Sequence, residues 1–149
     1  MKSIYFVFII FLNTNVFSEE KNDNYFYINS DKLIIKENQL ISEFIGNAYA
    51  RNGENHFWGN KILVNYDNDK KIKLITIIGS VKIVRPNEEI FGDKAIYDPK
   101  LEKIKISGNV SIIQDGNILS GSELIVDLIN STSIIVGNNG KQVSVKVAK

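Results

Sequence analysis

Two groups of side chains in this sequence are of types that perform acid–base catalysis. His56 is the only histidine, and it precedes Phe57 and Trp58 beside a predicted hairpin tip. It has no base or metal-ligating partner at a useful spacing, so we expect it to be exposed and solvated. The adjacent carboxylates of Glu88-Glu89 stand at another tip, where such pairs are ordinarily solvated. We therefore expect no catalytic residues and no enzymatic activity.

Aspartates recur where strands are predicted to end, at Asp67, Asp98 and Asp127. Carboxylates at such positions either cap turns by accepting backbone N–H bonds or bind calcium. The recurrence at strand ends favours turn capping, and we expect neither a metal site nor a cofactor. The chain contains no cysteine, which excludes disulfide bonds and cysteine-ligated metals.

Residues that could bind a ligand without reacting with it are more informative, and they lie within a repeat of the sequence. Glycine pairs thirteen residues apart occur three times, as Gly46 and Gly59, Gly79 and Gly92, and Gly108 and Gly121. The pairs step by 33 and then 29 residues, and half-units containing Ser30 and Gly137 flank them. A fixed period of this size indicates stacked supersecondary units that share one core.

Each glycine pair is predicted to mark a β-hairpin. The clearest case is residues 108–127, where Asp115-Gly116 joins two runs of alternating apolar residues. An Asp-Gly turn of this kind requires positive φ at both central residues. Apolar residues recur with period 2, and no helix is predicted. The sequence thus predicts an all-β fold of about twelve short strands, in which repeated antiparallel hairpins form an open, twisted β-jelly-roll, a slit-like barrel with an apolar interior.

The strand register follows from the glycines. Apolar residues two before, two after and four after the first glycine have one parity and face one side of the sheet. Residues three and five after the second glycine align in the same way, whereas Phe57, Ile90 and Leu119 precede it with the other parity. A bulge at the second glycine would reconcile the two parities. The predicted interior residues are Leu33, Ile35, Phe44, Ala48, Ala50, Ile62, Val64, Ile77, Val81, Ile83, Ala95, Tyr97, Ile106, Val110, Ile112, Leu124 and Val126.

The chain is predicted to have three segments. Residues 1–18 have the features of a cleaved signal peptide, with Lys2 ahead of a nine-residue apolar run and a cut before Glu19. An uncleaved membrane anchor is the alternative. Residues 19–27 are predicted to form a flexible lead and residues 28–149 a single β-domain. Without residues 1–18 the chain has 17 basic and 17 acidic residues, a balance that argues against a nucleic-acid partner.

Several strand motifs recur in register along this domain. One motif is carried by residues 108–112, GNVSI, and residues 121–127, GSELIVD. Together they resemble the repeated pattern of the LptA/OstA-like family of periplasmic lipopolysaccharide transport proteins. Residues 30–33, SDKL, resemble that family's opening strand, and residues 92–98, GDKAIYD, resemble another of its strands. The resemblance extends over nearly the whole predicted domain, from about Ile28 to Gly137.

The resemblance implies a function in the periplasm. Such proteins hold lipid A acyl chains in an interior groove, so the predicted interior residues become lipid-binding residues. They pair edge strands head to tail, which implies inner-membrane LptC-like and outer-membrane LptD-like partners and leaves a homo-oligomer open. Arg51, Lys61, Lys82 and Lys94 become candidates to meet lipid phosphates near the slit mouth, with protection of sheet edges as the alternative role.

Three alternatives share some of these features. An ordinary sandwich core, filled by neighbouring side chains, would bury the same residues without binding lipid. A membrane-anchored scaffold subunit of the LptC type would keep residues 1–18 and start at Met1, whereas the transport protein would start near Glu19. A β-solenoid that binds polysaccharide would present an exposed acidic or aromatic cleft, and carboxylate pairs do not cluster across the repeats.

Overall fold

The computed structural model describes residues 25–138 and 140–149, and the predicted signal peptide lies outside them. Within these residues the regular structure consists mainly of ten β-strands. The strands are β1 (Tyr27–Asn29), β2 (Lys32–Lys36), β3 (Ile41–Asn52), β4 (Asn55–Tyr66), β5 (Ile72–Arg85), β6 (Glu88–Asp98), β7 (Lys103–Gln114), β8 (Asn117–Asp127), β9 (Thr132–Val136) and β10 (Ser144–Lys146). A 3-10 turn at Glu37–Gln39 separates β2 from β3. The described residues include no helix that is long and apolar enough to cross a membrane.

All ten strands belong to one antiparallel sheet that does not close into a barrel. The order of neighbours is β1-β3-β4-β5-β6-β7-β8-β10, with β2 also beside β3 and β9 also beside β8. The predicted all-β fold of open, antiparallel hairpins is confirmed. The strands are fewer than predicted, because β3 to β8 are single strands of 11 to 14 residues that continue through the glycines.

One face of the sheet is apolar across all of its central strands. Residues opposite one another on neighbouring strands share a face, so the pairing register sorts the side chains into rows. Three rows cross the sheet, namely Leu33-Phe44-Ile62-Ile77-Ala95-Ile106-Leu124-Ile135, Ile35-Ser42-Val64-Ile75-Tyr97-Ile104-Val126-Ser133 and Ile28-Ala50-Phe57-Ile83-Ile90-Ile112-Leu119-Val145. Between the first and third rows lie the pairs Ala48-Gly59, Val81-Gly92 and Val110-Gly121. These positions include every buried hydrophobic residue of the described chain.

The sheet folds over so that two halves of the same strands cover each other. We call the half with the first two rows the lower half, and the half with the third row and the hairpin tips the upper half. Ile62 in the lower half and Ile83 in the upper half are each 0% exposed and belong to one buried cluster, although the described strands form a single sheet. Phe26, next to the upper end of β1, packs on Tyr97 near the lower end of β6, with 5.5 Å between ring centres. The interior therefore lies between the two halves.

The line along which the sheet folds coincides with a shift of register in each hairpin. Between β7 and β8 the shift lies from Ser107 to Val110, and β7 has the extra residue. Gly108 and Asn109 have φ of 79° and 47°, so the corner needs two residues that tolerate a left-handed backbone. Asn109 also donates a hydrogen bond to the Asp93 carboxylate (3.0 Å). The predicted bulge is present, but its extra residue belongs to the first glycine and not to the second.

The second glycine of each hairpin makes room for a neighbouring side chain. A Cβ atom on Gly92 would overlap Cγ2 of Ile106, and one on Gly59 would overlap Cγ2 of Ile77. Both isoleucines are buried in the first row, so an interior side chain of the next strand fills the space over each glycine. The thirteen-residue spacing thus combines a backbone requirement at one glycine with a packing requirement at the other.

Candidate functional site

The interior contains most of the residues predicted to bind a lipid. They are at most 5% exposed and form one apolar cluster. They are Ala48, Ala50, Ile62, Val64, Ile77, Val81, Ile83, Ala95, Ile106, Val110, Ile112, Leu124 and Val126. Such a surface attracts hydrocarbon through the hydrophobic effect and offers no group for acid–base chemistry.

The other four predicted residues lie at the margin of the interior. Phe44 and Tyr97 are partly buried and pack against the cluster. Leu33 and Ile35, both in β2, are 49% and 63% exposed. Their pairing with Phe44 and Ser42 places them on the same face as the buried rows. They remain exposed because no described strand lies beyond β2 to cover them.

The prediction omits four residues that the structure buries in the interior, Phe57, Ile75, Ile90 and Ile104. Ile75 and Ile104 stand four residues before a first glycine, so one further step of the parity rule includes them. Phe57 lies directly opposite Ala50 across the hairpin. Counting the register from the hairpin tip, and not from the glycine, therefore identifies Phe57 and Ile90.

Aspartates hold the turns that link one hairpin to the next. Oδ1 of Asp67 and Oδ1 of Asp98 each accept two backbone N–H bonds from their own turns. Asp127 does the same, and its second oxygen accepts a bond from Nδ2 of Asn130 (3.0 Å). The backbone N–H of Asn130 is the main cause that lowers the pKa of Asp127. The predicted turn-capping role is confirmed at all three aspartates.

These turns form the lower rim, which we define as the strand ends at residues 37–40, 67–71, 98–102 and 128–131. Two clefts open there. The larger has a volume of about 840 Å³ and lies between the second and third of these turns. The smaller, of about 350 Å³, lies next to it and is bordered by Ile35. Leu40 and Tyr66 line both clefts, and Tyr66 also packs against the buried cluster. The clefts therefore adjoin the interior.

The outer face of the upper half carries an aromatic cluster. His56 shares a hydrogen bond with the Tyr49 hydroxyl (Nδ1 to Oη, 2.8 Å) and stacks beside Trp58, with 5.8 Å between ring centres. Nζ of Lys82 lies 5.7 Å from the centre of the Trp58 ring. His56 is half-buried and hydrogen-bonded, so the prediction of a solvated histidine is wrong. Tyr49, on the neighbouring strand β3, supplies the partner that the linear sequence does not reveal.

The cations predicted to meet lipid phosphates alternate with buried residues and so project from the outer face. They are Arg51, Lys61, Lys82 and Lys94. Lys61 and Lys36 both reach the carboxylate of Glu43, at 3.2 and 2.6 Å. The hydrogen bond from Lys36 is the main cause that lowers the pKa of Glu43. Lys61 and Lys94 lie beside the fold line and not at a slit mouth, so the candidate role of meeting phosphates near that mouth does not fit these two lysines.

The two ends of the sheet are built alike. At the N-terminal end β1 pairs with the upper half of β3 and β2 with its lower half. At the C-terminal end β10 pairs with the upper half of β8 and β9 with its lower half. Each end therefore consists of one strand of three residues and one of five. The far sides of these strands have no strand partner in the described chain, and such edges pair readily with other strands.

Comparison with known proteins adds two findings. Residues 27–132 match a family model described as LptA/(LptD N-terminal domain) LPS transport protein. Among solved structures, the chain is similar to the crystal structure of LptH from Pseudomonas aeruginosa, described as the LptA homologous periplasmic component of the conserved lipopolysaccharide transport device. The TM-score is 0.76 with 12% sequence identity, over 87% of this chain and 99% of that chain, a likeness that concerns the fold. No curated protein matches the chain.

Proposed function

Because this chain belongs to the LptA/LptD N-terminal domain family of lipopolysaccharide transport proteins, we propose that it carries lipopolysaccharide in the periplasm, with the acyl chains between the two halves of its sheet. In this proposal the predicted interior residues contact the lipid, and Val81, Ile83 and Val110 are among them. The single observation that supports this most directly is the continuous apolar face that the folded sheet encloses. The protein acts by binding, and no residue is assigned a catalytic step.

The interior offers enough apolar surface to attract hydrocarbon chains. Burial of one methylene contributes roughly 0.8 kcal/mol, so a chain of about twelve carbons contributes on the order of 10 kcal/mol before ordering costs are subtracted. Val81 and Ile83 are 1% and 0% exposed, so an acyl chain must part the two halves to reach them. The two halves should separate most easily at the lower strand ends, because Tyr66, Ile72 and Leu128 there are only partly buried.

We further propose that molecules assemble head to tail through the ends of the sheet. β1 and β2 run in the direction of β4, β6 and β8, like the second strand of a hairpin whose first strand is not among residues 25–138 and 140–149. β9 and β10 run in the direction of β3, β5 and β7, like a first strand that has no second strand beside it in the described part of the chain. The C-terminal end of one molecule therefore complements the N-terminal end of the next. The partner is a second copy, or an LptC-like protein of the inner membrane or an LptD-like protein of the outer membrane.

Site-specific photo-crosslinking tests the lipid-binding interior. A photo-reactive amino acid is placed at Ile83, which is buried, and in a matched variant at Lys82, which projects outward. Both proteins are irradiated with lipopolysaccharide, and circular dichroism verifies that both are folded. We expect strong adducts at position 83 and weak ones at position 82. Folded protein without adducts at either position would indicate a closed core and would overturn the proposed function.

A further inference from the structure

The larger cleft of the lower rim brings three lysines together. We call it the rim cleft, and its lining includes Lys71, Lys73 and Lys100 together with Tyr66 and Ile72. All three lysines are exposed. Within residues 25–138 and 140–149, none of the three forms an ion pair with a carboxylate.

Many strand cations of the outer face form ion pairs with carboxylates of the neighbouring strand. Such pairs within 4 Å are Lys36 and Lys61 with Glu43, Lys82 with Glu89, Arg85 with Glu88, Lys103 with Asp127 and Lys105 with Glu123. The rim lysines form no such pair within the described chain, so their ammonium groups are available to an external anion.

Two aspartates also border the rim cleft, and both cap turns by accepting backbone N–H bonds. Oδ1 of Asp67 accepts N–H bonds from Asp69 and Lys71, each at 2.9 Å. Oδ1 of Asp98 accepts the N–H bond of Lys100 at 2.9 Å. These bonds fix the two turns that carry Lys71 and Lys100, and Lys73 follows in β5. Three ammonium groups against two carboxylates leave the cleft with an excess of positive charge.

Two of the residues that line the rim cleft also connect it to the interior. Tyr66 and Ile72 line the cleft and also pack against the buried cluster. A molecule that places hydrocarbon between the two halves of the sheet can therefore place a polar head in the cleft without a gap. The volume of about 840 Å³ accommodates such a head group.

We propose that the rim cleft binds a phosphate group of the lipid whose acyl chains occupy the interior. This inference rests on the proposed function and adds the site that orients the lipid. Lysine ammonium groups attract phosphate as point charges, and three of them around one cleft tolerate more than one position of the phosphate ester. The attraction must weaken as salt rises, because the lysines are exposed to solvent.

The test compares two triple variants of the full chain. The rim variant carries Lys71→Gln, Lys73→Gln and Lys100→Gln. The control variant carries the same change at three exposed strand lysines that also lack a carboxylate partner in the described chain, Lys32, Lys94 and Lys146. Dissociation constants are measured for bis-phosphorylated lipid A and for the same lipid A after enzymatic removal of both phosphates. We expect the rim variant to bind the phosphorylated lipid about tenfold more weakly. It should bind the dephosphorylated lipid like the parent, and the control variant should match the parent on both.

Equal affinity of the rim variant and the parent for the phosphorylated lipid overturns the inference. So does an equal loss on both lipids, because the lysines would then act without contacting phosphate. If the parent binds neither lipid, the proposed function has failed, and inorganic phosphate tests the cleft alone. Shifts of the Lys71 and Lys100 amide resonances that vanish in the rim variant then support an anion site, and unchanged resonances exclude one.

Discussion

The middle of this sheet and its two ends have the same repeat but opposite burial. From β3 to β8 each inward-facing position has a neighbour on both sides, and residues such as Ile62, Ile106 and Leu124 are 0% exposed. In β2 the inward-facing Leu33 is 49% exposed, and in β10 the inward-facing Val145 is 56% exposed. Leu33 and Val145 belong to rows that are buried in the middle. The difference shows that burial in a stacked repeat is a property of neighbours and not of the individual strand.

A buried row in the middle should be much more sensitive to truncation than the end of the same row. Ile106→Ala removes three heavy atoms from a fully buried site and also uncovers Gly92, so we expect a loss of about 2–5 kcal/mol in the free energy of unfolding. Leu33→Ala, in the same row at the N-terminal end, should cost roughly 0.5 kcal/mol. Urea unfolding followed by circular dichroism measures both, and similar losses would mean that the end is covered in solution.

The second glycines allow a finer comparison of middle and end. Gly92→Ala forces its Cβ into Ile106, which the core holds on all sides, and should cost about 1–3 kcal/mol. Gly121→Ala forces its Cβ toward the partly buried Ile135 and the backbone oxygen of Val136, both of which belong to the edge strand β9. Because β9 can move outward, we expect a cost of at most about 1 kcal/mol there.

The double variant Gly92→Ala with Ile106→Ala separates a local clash from a general loss of structure. If the added methyl acts through the isoleucine, the two losses should sum to more than the loss of the double variant. Additive losses in urea unfolding would show that Gly92 is required for its backbone and not for the space above it.

The inward face of the middle strands follows from the sequence because the period of 2 is local. Ala48, Val81 and Val110 stand two residues after a glycine, and all three are buried. The position of the corner in each strand is harder to predict from this period. The second glycine interrupts the parity, but the left-handed residues belong to the first glycine, as at Gly108 and Asn109.

Features that depend on non-local contacts could not be predicted in this way. His56 is hydrogen-bonded because Tyr49 lies near it on the neighbouring strand. Lys61 faces a carboxylate because Glu43 lies on the neighbouring strand β3. The exposure of Leu33 depends on whether another strand, of this or another molecule, lies beyond β2. A pattern within one strand contains none of this information.

Charged side chains introduced at an end of the sheet should leave the monomer stable but abolish its self-association. In head-to-tail assembly the first row of apolar residues, which ends at Ile135 in one molecule, would continue with Leu33 of the next molecule. Leu33→Lys with Ile35→Lys should change the free energy of unfolding by only about 0.5 kcal/mol, because both side chains are half-exposed or more. Analytical ultracentrifugation should show that the self-association of the parent is lost.

A control variant adds the same charge away from the ends. Leu101→Lys with Ile113→Lys changes two residues that are 54% and 38% exposed, in a turn and on a central strand. This variant should sediment like the parent. If both variants sediment alike, the ends of the sheet do not mediate association.

The smallest expected effect is a response of the C-terminal end to acid. Asp127 caps the turn between β8 and β9, and the N–H of Asn130 lowers its pKa below the usual range. A carboxyl group whose pKa is lowered by folding stabilises the fold above its unfolded pKa, and this contribution disappears as pH falls through the folded pKa. Between about pH 5 and pH 3, hydrogen-exchange protection should therefore fall at Ile134 in β9 more than at Ile77 in β5.

Asp127→Asn separates this turn from the general effect of acid on carboxylates. The asparagine keeps an oxygen that accepts the two backbone N–H bonds, but it cannot be protonated in this range. Protection at Ile134 in the variant should depend less on pH than in the parent, with Ile77 unchanged. If Ile134 responds to acid equally in both proteins, β9 is held by its pairing with β8 alone. The end would then differ from the middle only in its number of neighbours and not in the chemistry of its turn.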